Sequence, residues 1–279
     1  MKHELHRPAI AADADPASAN RLLLDALASM PPADATAATA AGTLGQRLMC
    51  RAASSLRAAA AFHTVRGEPQ WLSADSGVRI RWLYRALPGR APRVGEPMRV
   101  RQIQLPRGAS CQLALQPGLR CEWLVMRGNA CIDGVALQAR DYHVVLTRAA
   151  VALSSQDGAW LYLREADDVD GPFAIHTVHD HVAPWSPHVP GIERRVLWQR
   201  GGEAALMYRV QRGAEVPHHG HGHDEECLML QGEVFVDDIL LGPGDYQLAP
   251  AGTFHEGVCC DTGGILLTHG DIELAVTPR

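Results

Sequence analysis

Residues 213–232 read GAEVPHHGHGHDEECLMLQG, and residues 244–255 read GDYQLAPAGTFH. Between Gly213 and Gly232 lies a His-x-His pair, His219 and His221, followed after three residues by Glu225. Side chains alternate across a strand, so His219 and His221 point the same way. A short turn over residues 222–224 can swing Glu225 back toward them. Gly244 and the Pro250-Ala251-Gly252 turn then bring His255 across from a neighbouring strand pair. Three imidazoles and one carboxylate suit Zn(II), Fe(II), Mn(II), Ni(II) or Cu(II), whereas Mg(II) and Ca(II) demand more oxygen. A solvated histidine-rich turn is the competing account. It is disfavoured because Glu225, Gly232 and His255 all fall in register with the pair.

The texture around this stretch is β. From Phe62 onward, short β-prone runs are broken by Gly and Pro, the pattern of an all-β sandwich or barrel. An internal repeat organises them. His63-Thr64-Val65 recurs as His176-Thr177-Val178, and the Trp71-to-Gly77 interval recurs from Trp185 to Gly191. Gly128, Asp133, Leu137, Asp141 and Tyr142 recur, at a constant offset of 104, as Gly232, Asp237, Leu241, Asp245 and Tyr246. This predicts two β-units, 62–167 and 174–276, after a helical segment, 1–61. The first copy carries about ten extra residues, most of them in the Pro/Gly-rich stretch 88–97, which reads as a hairpin loop. At the metal positions the first copy has Leu115, Pro117, Cys121 and Val151. Glu122 is adjacent to Cys121, but one residue along a strand reverses the face. One ion per chain is therefore expected. The first unit reads as a metal-free partner that packs against the second or holds a small ligand.

Both motifs resemble those of the cupin superfamily at every fixed position through His255; only the motif's final Asn is replaced, by Cys259. The resemblance implies a mainly β fold of two tandem cupin (jelly-roll) barrels preceded by a short helical N-terminal segment. The run HHGHGHDEECLMLQGEVFVDDILLGPGDYQLAPAGTFHEG is similar to the ChrR-type cupin, the C-terminal half of zinc-dependent anti-sigma factors in bacteria. In that family the two motif histidines, the glutamate and the later histidine bind the ion, and they correspond to His219, His221, Glu225 and His255. The resemblance implies one divalent transition-metal ion, Zn first and Fe or Mn as alternatives. It also implies a sensor or regulatory role, a small molecule or oxidant in the pocket, and a sigma factor as partner. The chain departs from the family at its start. The His-x3-Cys-x2-Cys zinc pattern of the helical domain is missing, since Cys50 is the only cysteine in the first hundred residues. That puts sigma-factor binding in doubt.

The superfamily also implies an alternative, a non-heme metal-dependent dioxygenase. Glu225 could then act as general base. A diketone- or flavonol-like substrate would lie against Leu228, Leu230, Phe235, Leu248 and Phe254. Other polar residues receive plainer readings. His218 should face away from the site at the surface, Glu226 should point outward, and His223, at the start of the turn, is a secondary candidate. His269 reads as a partly buried strand histidine or as lining the barrel. His176, His179 and His181 read as structural or exposed, and Cys227, Cys259 and Cys260 as small apolar fillers.

Composition bounds the rest. Of 279 residues 47% are apolar, enough for two small cores, and the net charge is −5 without a basic cluster. Nucleic acid and anionic membranes therefore have no electrostatic support as partners. No window approaches the ~20 apolar residues of a membrane span, and the first residues do not read as a signal peptide. Seven irregularly spaced cysteines point to a reduced, cytoplasmic protein. Helices are expected over 17–29 and 43–61, the second with Leu44, Leu48, Ala52 and Leu56 at helical spacing. Either a monomer or a homodimer is compatible with two barrels that can cover each other's edges.

Overall fold

Phe62 marks the change from helix to strand. The computed structural model describes residues 44–67, 71–73, 77–146, 149–167, 175–216, 218–273 and 275–276. The chain divides into two units, 1–56 and 57–279. In the first, the described residues belong to the helix Leu44–Ala61, where Leu44, Leu48, Met49 and Leu56 are exposed. The helix expected over 17–29 lies outside the described residues.

The second unit is two tandem barrels with one strand order used twice. One large sheet runs His63–Val65, Tyr246–Ala249, Glu225–Gly232, Gly264–Asp271, Glu203–Val210, Ile192–Arg200 and Ser186–Val189. The other runs His176–Val178, Tyr142–Leu146, Arg120–Ile132, Ala159–Ala166, Arg99–Leu105, Arg79–Arg85 and Leu72–Ser73. The copies exchange their first strands. His63 pairs with Leu248 in the second copy's sheet, and His176 pairs with Val144 in the first copy's. The two partners, Leu248 and Val144, are themselves 104 residues apart. Each exchanged histidine reaches a matching carbonyl, His63 Nε2 to Leu83 O at 2.6 Å and His176 Nε2 to Leu197 O at 3.1 Å. The repeated glycine has a steric reason. Gly128 and Gly232 sit at φ +75° and +74°, and a Cβ there would lie 2.1 Å and 1.9 Å from the carbonyl oxygens of Gly158 and Gly263. A side chain is excluded at both.

Three apolar layers result. Trp123, Leu115, Cys121, Val151 and Leu163 fill the first barrel. Met229, Leu241, Val234 and Cys260 belong to the second. Between them lies a third layer, built from Leu124, Tyr142, Tyr162, Met207, Leu228, Tyr246 and Leu248 of both sheets. Each large side chain buried there contributes about 1.5–3 kcal/mol.

This middle layer corrects the reading of the strand Glu225–Gly232. Glu226 does not face outward; it is 2% exposed. Arg164 Nε donates to it at 2.5 Å, and the Tyr162 and Tyr246 hydroxyls donate at 3.1 and 2.9 Å. Its counterpart in the first copy, Glu122, is also buried, and receives Arg164 Nη1 at 2.8 Å, Arg120 Nε at 2.9 Å and Trp198 Nε1 at 2.9 Å. One guanidinium thus joins the two equivalent glutamates across the pseudo-symmetric interface. The parity assignment was right, but the second face of the sheet meets the other barrel instead of water.

Candidate metal centre

His219 opens the strand pair His219–Gly220 with Phe254–His255, where His219 and His255 are direct cross-strand partners. His221 is held by its backbone to the Pro-Ala-Gly turn: its N–H donates to Thr253 O at 3.0 Å, and Gly252 N–H donates to His221 O at 2.7 Å. Glu225 begins the next strand, opposite Ala249. Local pairing therefore carries all four residues to one end of the second barrel.

Their side chains converge. One donor atom from each of His219, His221 and Glu225 falls within 4.8 Å of the others. Glu225 lies 3.5 Å from His221 Nδ1 and 3.7 Å from His255 Nε2. The His255 ring centroid is 5.4 Å from that of His219 and 4.7 Å from that of His221. All three imidazoles are buried. His221 Nε2 is buried without a hydrogen-bond partner, a costly state for a neutral donor or acceptor unless something else satisfies it. The donor set fits a divalent transition metal.

Electrostatics concentrate negative charge at this point. Burial alone would raise the Glu225 carboxyl, but the His221 hydrogen bond and the fields of His221, His255 and His219 bring it to about 2. His221 is shifted upward, because Glu225 outweighs the opposing effect of burial. Asp237 is the functional neighbour that sequence reasoning passed over. His255 Nδ1 donates to its Oδ2 at 2.6 Å, which leaves Nε2 free to face the cluster. Burial would raise the Asp237 carboxyl, yet the His255 hydrogen bond keeps it low. Its signal was present, since Asp237 belongs to the repeat, but Asp133 in the same position accepts the backbone N–H of Ala152, beside Val151 where the second copy has His255.

The neighbours separate cleanly. His223 turns from the cluster to Asp271, 2.5 Å from Nδ1. His218 is half-buried against Phe254. His269 lies in the middle layer beside Glu122, Glu203 and Glu226 at 3.6, 3.5 and 3.9 Å, not in the barrel. His179 donates to Asp141 at 2.9 Å, and with His181 these residues form a second, partly exposed donor group. No disulfide joins the cysteines among the described residues.

A mostly apolar cavity of about 70 Å³ adjoins the cluster and reaches His219, Glu225 and His255. Val189, Ile192, Val210, Val234, Val236 and Leu266 supply its apolar walls. The expected lining of Leu228, Leu230, Phe235, Leu248 and Phe254 is not found there. Leu228 and Leu248 face the middle layer with Leu230 packed against it, and Phe254 is 55% exposed. His188 and Tyr208, which no motif singles out, stand on the cavity wall in contact with each other.

Solved structures share the fold of the tandem barrels. The YlbA protein of E. coli superposes with a TM-score of 0.56 at 12% identity, covering 76% of this chain and 93% of its own. Oxalate decarboxylase from Lactobacillus farciminis gives 0.53 at 13% identity, covering 75% and 85%. Quercetin 2,3-dioxygenase from Acinetobacter baumannii gives 0.53 at 13% identity, covering 77% and 80%. More particularly, residues 174–275 match the family model of the ChrR cupin-like domain. No protein of curated function matches the sequence. No helix among the described residues is long and apolar enough to cross a membrane.

Proposed function

We propose that the second barrel binds one divalent transition-metal ion through His219, His221, Glu225 and His255, and that the protein is a regulatory, ligand-sensing cupin of the ChrR type. The observation that carries the reading is the convergence of the buried His219, His221 and His255 imidazoles with the Glu225 carboxylate at one end of the barrel. Zinc is the expected ion, because it takes imidazole and carboxylate donors in a closed four-ligand set. When bound, it supplies a Lewis-acidic centre and ties two motifs of the chain together.

The chain's own residues do the rest. Asp237 fixes the tautomer and orientation of His255. Glu225 borders the cavity, so a small molecule there would compete for its carboxylate. A cavity of about 70 Å³ is about half the 150 Å³ that takes up benzene. That size speaks against a flavonol-like substrate and for a small sensed molecule. The missing N-terminal zinc pattern keeps a sigma factor out of the proposal, although the family model makes a protein partner worth testing by pull-down. A reduced, cytoplasmic setting is consistent with cysteines that form no disulfide among the described residues.

The test is metal analysis of the purified full chain. The wild type should hold one equivalent of zinc, and His255→Ala much less. Stoichiometric metal in His255→Ala would show the ligand set to be wrong. Substrate-stimulated oxygen consumption with bound iron would replace the regulatory reading by the dioxygenase one.

A further inference from the structure

The ten extra residues of the first copy lie far from the second copy's motifs in sequence, yet they meet them in space. Strands Arg79–Arg85 and Arg99–Leu105 form a hairpin whose long loop contains 88–97. The corresponding strands of the second copy, Ile192–Arg200 and Glu203–Val210, are joined by only two residues. The long loop ends on residues 222–224, the turn that separates the ligands His221 and Glu225.

Asp224 is the point of contact, and its side chain is fully buried. Arg93 grips its carboxylate as a fork, Nε donating at 2.8 Å to both oxygens and Nη2 at 2.6 Å to Oδ2. The Asp224 N–H donates to Val94 O at 2.7 Å. Its Oδ1 also accepts the Ala251 N–H at 2.8 Å, from the turn that leads to His255. One carboxylate therefore joins the first barrel, the His-x-His/Glu turn and the second motif. The loop is braced from behind. Glu96, buried, accepts the Arg93 N–H at 2.7 Å and is bonded to Tyr84 and Arg90, and Arg164 Nη2 holds Gly95 O at 2.9 Å. Gly95, at φ +77°, permits the approach: a Cβ there would sit 2.9 Å from His223 Cβ. The other end of the turn is held by the second barrel itself, with Asp271 accepting Gly222 N–H at 2.6 Å.

We infer that the loop around 88–97 is a strap through which the metal-free barrel holds the ligand turn of the metal-binding one, with Arg93 as its positioning residue. This rests on the metal reading above. It gives the barrel without ligands a task, that of fixing the angle at which Glu225 leaves the turn. A fork is required, since a lysine is a point charge that cannot bind both oxygens and hold their plane.

The experiment is titration of the metal-free full chain with Co(II), following its visible d–d absorption. Wild type, Arg93→Ala, Arg93→Lys, His255→Ala and the control Arg140→Ala are compared. Arg140 makes a similar two-nitrogen contact, to Asp180, away from the ligand turn. Arg93→Ala should bind Co(II) about tenfold more weakly, the low end of the 10–100-fold typical of groups behind the ligands, with an altered d–d band. Arg93→Lys should fall between, and Arg140→Ala should match wild type. Wild-type affinity and spectrum in both Arg93 variants would overturn the strap and leave the metal site standing. If instead the wild type binds no Co(II), or His255→Ala binds it equally well, the metal reading falls first and takes the strap with it.

Discussion

Arg164 is the strongest lever on the joint between the barrels. Its side chain is 1% exposed and lies between two buried carboxylates. Arg164→Met keeps much of the length and removes the charge. Glu226 would keep the hydroxyls of Tyr162 and Tyr246 but lose the Arg164 guanidinium, while Glu122 would keep Arg120, Tyr142 and Trp198. Leaving a buried charge without its partner costs about 3–5 kcal/mol. For a unit of this size that is roughly 6–20 °C in unfolding midpoint, at 2–4 °C per kcal/mol. Urea unfolding with chelator present measures the loss without any contribution from bound metal. The triple variant Arg164→Met, Glu122→Gln, Glu226→Gln should recover part of it, because both carboxylates left without Arg164 are neutralised while Arg120 stays charged beside Glu203 at 3.9 Å. The pH dependence has a definite sign. Burial opposes ionisation of Glu122, but the charges of Arg164, Arg120 and His269 hold it well below the ordinary glutamate value. Stability from that depression is complete above the unfolded value near 4.3 and is lost as pH falls further. The gap between wild type and Arg164→Met should therefore narrow below about pH 4. A loss under about 1 kcal/mol at pH 7, or a triple variant no more stable than the single one, would refute a shared buried guanidinium as the joint.

Two further outcomes separate the site from its scaffold. Asp237→Asn removes the carboxylate behind His255, and should weaken zinc binding by about 10–100-fold in a competition titration while leaving one equivalent bound at saturation. Trp123→Ala hollows the first barrel and should cost about 3–5 kcal/mol in urea unfolding. The metal stoichiometry of the folded variant should not change, and a parallel loss of metal would show the filled barrel to be part of the site.

Much of this was legible in the chain because periodicity and spacing are local. His219, His221, Glu225 and His255 were placed by strand alternation and turn residues, and the structure brings all four to one end of one barrel. The fixed offset of 104 identified tandem barrels, since equal spacing of Gly, Asp and Tyr demands equal turns. Side-chain parity was correct for Glu225 and Glu226 but not for Leu228 and Leu230, which were expected at the pocket and share the face of Glu226. The error lay in what the second face meets. A strand with one apolar face normally shows water the other, but Glu226, Leu228, Leu248 and His269 face a second sheet, and no local pattern distinguishes that sheet from solvent. Exchange of the strands His63–Val65 and His176–Val178 was hidden for a related reason, because identical short strands fit either copy equally well by sequence.

The contacts that remained illegible share a physical property: each joins a second copy residue to a group specified elsewhere. Arg93 and Asp224 are 131 residues apart, and nothing in either neighbourhood calls for the other. Duplication makes such pairs available. Once two copies pack, one can lose its imidazoles, fill its interior with Trp123, Leu115 and Val151, and lengthen a hairpin without disturbing the shared strand order. Loss of ligands in one copy and a longer loop in the same copy then fit together. On the proposed reading the first barrel is free to hold the second, because Leu115, Pro117, Cys121 and Val151 stand where the second copy has its ligands.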